Sequence, residues 1–120
     1  MTTPRPGRPV RGSATGRPLM AALDLFGRRW TLRILWELHE GPTGFRALQQ
    51  RCDGMSSSVL RGRLLELTEA GLVTQRDGTE YALTPLGTEA CTALRPLVRW
   101  SGRWAEALAG DTDEHPDAGD

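Results

Sequence analysis

Between Ser56 and Val73 the chain reads SSSVLRGRLLELTEAGLV. Three hydroxyls, Ser56, Ser57 and Ser58, are followed closely by Arg61, Gly62 and Arg63. Serine hydroxyls can donate to phosphate oxygens or base edges, and the planar arginine fork fits guanine O6/N7 or a phosphate. This is chemistry for binding, not for making bonds. The rest of the chain offers no competing catalytic set. Its histidines are His39, expected at a helix C-terminus where positive charge is tolerated, and His115, in an acidic tail. Cys52 and Cys91 show neither metal-ligand spacing nor a secreted disulfide framework, and both are expected to be inert. No catalytic or metal constellation can be assembled, no cofactor is expected, and an enzyme is the remote reading.

The elements that must position these residues can be read in order. Leu19, Leu23 and Phe26 have helical spacing in a short first helix ending near Gly27. Trp30, Ile34, Leu35 and Leu38 give a second, stopped by Gly41-Pro42. Phe45 and Leu48 predict a third, closed before Asp53-Gly54. The fourth takes Ser56 or Ser57 as N-cap and runs to about Ala70, with Gly71 as its stop. On its wheel Leu60, Leu64 and Leu67 form a buried stripe, and Ser58, Arg61, Gly62 and Leu65 face the other way. Val73 and Gln75, then Tyr81 and Leu83, alternate on either side of Asp77-Gly78, which is a strong hairpin signal. Thr84-Pro85 opens the last helix, and Pro96 is expected to kink or break it near Arg95.

Charge is unevenly placed along the 120 residues. Arg5, Arg8, Arg11 and Arg17 make a basic head; Asp111, Asp113, Glu114, Asp117 and Asp120 make an acidic tail; the formal net charge is zero. Every basic residue is arginine, for which a GC-rich genome is the bland explanation. Residues 1–16 and 109–120 are too polar to offset chain entropy and are expected to be disordered, leaving one domain at 17–108. No apolar run reaches membrane-spanning length and no signal core is present, so a cytoplasmic protein is expected.

A solubilising helix would carry Glu/Lys pairs on its outer face. The helix at 56–70 is instead small, hydroxylic and cationic through its first turns, and Glu66 and Glu69 come later. Gly62 costs about 1 kcal/mol of helix propensity, which makes sense where something must come close to the backbone. From this stretch alone a plain surface helix and a groove-reading helix stand level. The order of elements decides: helix, short helix, turn, helix and tight hairpin is the plan of a winged helix-turn-helix. The fold class is therefore mainly α with a small β-hairpin wing, and the partner is double-stranded DNA.

These residues also resemble a known family, the HxlR-type winged helix-turn-helix regulators, which are related in plan to MarR. The resemblance covers roughly 17–104. It rests on Leu23 with GRRWTLRIL (Gly27 to Leu35), GPTGFRAL (Gly41 to Leu48), the 56–73 stretch, EYALTPLG (Glu80 to Gly87) and LVRW (Leu97 to Trp100), each weak alone and specific in this order. The resemblance implies a homodimer, paired through its first and last helices on a two-fold related operator. Three departures stand out. Arg17-Pro18 replaces a frequent Cys-Pro, so a thiol switch there is absent. The wing is clipped to RDGTE, with Arg76 its only cation. Leu65 stands where the family often has a basic residue.

The expected DNA-binding residues are Arg28, Arg29, Arg46, Ser56, Ser57, Ser58, Arg61, Gly62, Arg63 and Arg76. Arg61 is the foremost groove contact. Arg28, Arg29, Arg46 and Arg76 are assigned to phosphates, with a solvated charge the plain alternative for Arg29 and Arg46. For Arg63, nearer the buried edge, an internal salt bridge and a DNA contact are equally open. Phe45, Trp30 and Trp36 are assigned to the core or its edge. The expected dimer interface is Leu19, Leu23, Leu97, Val98, Trp100, Trp104 and Leu108, with a ligand cavity the alternative for the two tryptophans. A small-molecule effector would need that cavity. Repression is the default mode, because occluding a promoter requires no further part. The rival reading is a winged-helix module that binds a protein.

Overall fold

The computed structural model describes residues 17–114, with side chains through 110, and also Thr3, Pro4 and Pro6. Along the chain run α1 (Pro18–Phe26), α2 (Thr31–Leu38), β1 (Thr43–Gly44), α3 (Phe45–Arg51), α4 (Ser57–Glu69), β2 (Val73–Arg76), β3 (Glu80–Leu83) and α5 (Pro85–Glu114).

The core is aliphatic and draws on every layer. Ile34, Leu35 and Leu38 from α2 meet Leu48 and Cys52, Met55, the α4 stripe Leu60, Leu64 and Leu67, Val73 from β2 and Cys91 from α5. The expected buried stripe of α4 is thus the buried stripe. Ser56 is its N-cap, its hydroxyl accepting from the Val59 amide at 3.4 Å. At the other end Gly71 has φ +81°, and the amides of Gly71 and Leu72 return to the carbonyls of Thr68 and Leu67 at 3.0 Å each. This double closure satisfies carbonyls that the helix end would leave orphaned.

Strands β2 and β3 pair antiparallel with Val73 opposite Leu83 and Arg76 opposite Glu80. Asp77 and Gly78 both take positive φ, as a tight turn of this hand demands. The hairpin is not alone, however. Thr43 and Gly44 pair with Tyr81 and Glu80, so β3 lies in the middle of a three-stranded sheet, ordered β1-β3-β2. A two-residue strand has no periodicity to read, which is why the sequence announces only the hairpin.

Two helix boundaries also differ from expectation. Trp30 belongs to no helix: it has φ +77° and α2 begins after it. Its spacing to Ile34 is helical, but its backbone is left-handed, a rare state for a bulky residue. The second difference is at Pro96, which does not break α5; the helix continues for 30 residues, past 108 to Glu114. Proline removes one amide and costs about 3 kcal/mol in a helix interior. Here Thr92, whose carbonyl would have accepted that amide, is solvent-exposed, so water can satisfy it. The start of α5 is as expected: the Gly87 amide bonds Thr84 Oγ1 at 3.1 Å, with Pro85 next in line.

Of the N-terminal arm, Thr3 and Pro4 are buried, and Thr3 Oγ1 donates to Glu69 at 2.9 Å. The remaining arm residues and 115–120 lie outside the described residues.

Candidate nucleic-acid interface

Helix α4 presents its polar face outward because Leu60, Leu64 and Leu67 hold the opposite face in the core. Ser56, Ser57, Ser58 and Arg61 are exposed, and Gly62 is half-buried. The Ser56 and Ser58 hydroxyls lie 2.9 Å apart, which ties the two together at the helix start. From Ser56 to Leu65 this segment holds no acidic residue, and the helix N-terminus adds its own partial positive charge.

Arg61 has a resting place. Its guanidinium carbon sits 5.0 Å from the ring centroid of Phe45, at the start of α3. A cation over an aromatic face gains about 0.5–1 kcal/mol at an exposed site. Phe45 thereby restrains the arginine over the outer face as well as packing against the core. Gly62 is not demanded by packing: an added Cβ would meet nothing within 4 Å. What its missing side chain provides is open space at the surface.

Arg28 and Arg63 are arranged differently. The Arg28 side chain is only 8% exposed, and its guanidinium lies 2.7 Å from Glu66 and 3.6 Å from Asp24. Arg63 donates to the Arg29 carbonyl at 2.7 Å and to Glu66 at 3.0 Å. Glu66 and the two arginines therefore join the α1–α2 turn to α4. This geometry commits Arg28 and Arg63 to setting the attitude of α4; it does not bring Arg28 to the outer surface. The i,i+3 spacing of Arg63 and Glu66 was a legible signal, whereas the Arg28–Glu66 pair spans 38 positions and had none.

Arg29, Arg46 and Arg76 are exposed. Arg29 lies against the Trp30 ring at 5.6 Å. Arg46 stands in the first turn of α3. Arg76 ends β2 between Asp77 and its cross-strand partner Glu80, so its charge is locally outnumbered. Between α4 and the wing runs a groove of about 430 Å³.

All seven expected dimer residues are exposed in the single chain, among them Trp100 at 52% and Trp104 at 54%. These two rings stack with centroids 5.6 Å apart, inclined by 8°. Trp30 packs against the core edge; Trp36 is half-buried, its ring centroid 4.2 Å from that of His39, the C-cap of α2, and the two planes tilted by 30°. Burial pushes the thiols of Cys52 and Cys91 above their ordinary value, with Arg33 and Arg95 respectively pulling weakly the other way. Among the described residues, no group of three His, Cys, Asp or Glu side chains could hold a metal, and no helix is long and apolar enough to cross a membrane.

The model of the HxlR-like helix-turn-helix family matches residues 25–109. The chain belongs to that family. Its function class follows: a DNA-binding transcriptional regulator of the helix-turn-helix type. An HTH-type transcriptional regulator of Methanocaldococcus jannaschii is 33% identical over 92 residues, covering 73% of this chain and 86% of the relative. The HTH-type regulator YodB of Bacillus subtilis is 29% identical over 98 residues, covering 77% and 86%. Among solved structures, a possible HxlR family factor from Thermoplasma volcanium matches with TM-score 0.65 at 31% identity, over 71% of this chain and 82% of that one. A MarR family regulator from Enterococcus faecalis matches with TM-score 0.68 at 31% identity, over 76% and 88%.

Proposed function

We propose that the protein is a homodimeric, sequence-specific repressor in which each subunit inserts α4 into a major groove. The observation that carries this reading is the α4 face itself: exposed serines, Arg61 braced on Phe45, an unpacked Gly62, and no carboxylate before Glu66. Arg61 reads a base, assisted by Ser57 and Ser58. Arg29, Arg46 and, more weakly, Arg76 hold phosphates, which position the helix without specifying sequence. Arg28 and Arg63 act through Glu66, by holding the helix.

Dimerisation accounts for the apolar exposure on α1 and along α5, where Leu19, Leu23, Leu97, Val98, Trp100, Trp104 and Leu108 present a surface unusual for a small monomer. Two-fold symmetry then places half-sites about one helical turn apart, roughly 34–36 Å. Occluding a promoter needs nothing beyond this binding, and no catalytic role is proposed.

The test is Arg61→Ala, measured on an operator selected from random duplexes. It should lose about 1–3 kcal/mol of specific affinity, with its helical circular dichroism intact. Unchanged affinity would sink the groove reading and favour the protein-partner module.

A further inference from the structure

The groove between α4 and the wing asks for a ligand group of its own. Leu65 is 61% exposed, on the same helix as Arg61 and one turn later. Neighbours at this spacing lie about 5–6 Å apart on a helix surface. Arg61, Gly62, Leu65, Gln75 and Tyr81 all line the groove, and no carboxylate does. Gly62 leaves open space beside both Arg61 and Leu65. An exposed leucine beside Arg61 cannot neutralise a phosphate, so what it offers a duplex is apolar contact, and on a base edge that contact depends on sequence. In the major groove, the apolar group that distinguishes one base from the others is the thymine C5-methyl.

We infer that Leu65 is a specificity-determining residue that packs on a thymine C5-methyl in each half-site, one step along from the base read by Arg61. The inference rests on the groove reading above and adds a chemical requirement to it. A basic residue at this position would strengthen binding to any duplex. Leucine gives up that general attraction, and what it gains is discrimination.

The experiment uses the full-length protein and an operator selected from random duplexes. Each thymine is replaced in turn by deoxyuridine, which lacks only the methyl, and affinity is read by fluorescence anisotropy. For the unmodified protein, one position per half-site should lose about fourfold, equal to ~0.8 kcal/mol for one buried carbon group. Replacing both half-site thymines should lose about fifteenfold. Leu65→Ala should bind thymine and deoxyuridine operators alike, and should keep the salt slope because no phosphate contact is lost. Leu65→Arg should instead steepen that slope by about 0.9 per site and lose the methyl preference. Leu65 is exposed, so neither change opens the core.

Specific binding that ignores deoxyuridine everywhere, or half-sites selected without thymine, would overturn the inference and leave the groove reading standing. Equal methyl sensitivity in Leu65→Ala would also overturn it. Failure of selection to yield any operator would instead strike the groove reading itself.

Discussion

Trp104→Ala tests the proposed dimer at one of the two tryptophans of its seam. From Arg95 to Gly110 every residue of α5 is exposed, so this half of the helix contributes little to the core of its own subunit. Trp104 is 54% exposed. A tryptophan offers up to ~250 Å², so covering the exposed half removes ~130 Å² from water. At ~25 cal/mol per Å² that would stabilise the proposed dimer by ~3 kcal/mol per subunit. A two-fold seam counts the loss twice, so the substitution should weaken dimerisation by up to ~6 kcal/mol, near a ten-thousandfold rise in Kd. The unfolding free energy of the isolated subunit should change by no more than the stacking with Trp100, about 0.5–1.5 kcal/mol. Sedimentation velocity over a concentration series reads the first quantity, and denaturant unfolding at concentrations where the variant is monomeric reads the second. A wild-type protein that stays monomeric at high micromolar concentration would refute the reasoning. So would a Trp104→Ala variant that dimerises as tightly as the parent.

Three further outcomes follow from the packing. An added Cβ at Gly87 would stand 2.1 Å from the Leu72 carbonyl oxygen, and that neighbour is backbone, so Gly87→Ala should destabilise the fold by about 3 kcal/mol or more, visible as a lowered Tm. The raised thiol values of Cys52 and Cys91 set a pH dependence. Because the folded pKa lies above the unfolded one, their contribution to stability is complete below about pH 8.5 and declines as pH rises beyond it. Both thiols should resist alkylation at pH 7 in the native state and react on unfolding; fast native labelling would contradict their burial.

Much of this molecule is legible before folding because its signals are local. The stripe of Leu60, Leu64 and Leu67, the Ser56 cap, the Gly71 stop, the Asp77-Gly78 turn and the Thr84-Pro85 start each lie within a few residues of what they determine. What was hidden depends on distance or on context. The Arg28–Glu66 pair and the rest of Arg61 on Phe45 join residues far apart in sequence. Strand β1 exists only because β3 offers it an edge. Pro96 reads as a breaker by local rules, but an exposed helix, where water can reach the carbonyl left without its amide, tolerates it. Leu65 reads as a lost cation, and its place in a groove lined by no carboxylate, on which the role proposed for it rests, needs the fold.

The central claim is that α4 reads sequence. The most direct measurement is to select binders from a random duplex pool with the purified protein, then compare the enriched duplex with a scrambled one of equal length at two salt concentrations. The account predicts two related half-sites about one helical turn apart, and a preference that survives added salt while both affinities fall. No enrichment, with weak binding to both duplexes that vanishes together in salt, would mean only arginine meeting phosphate and would contradict it.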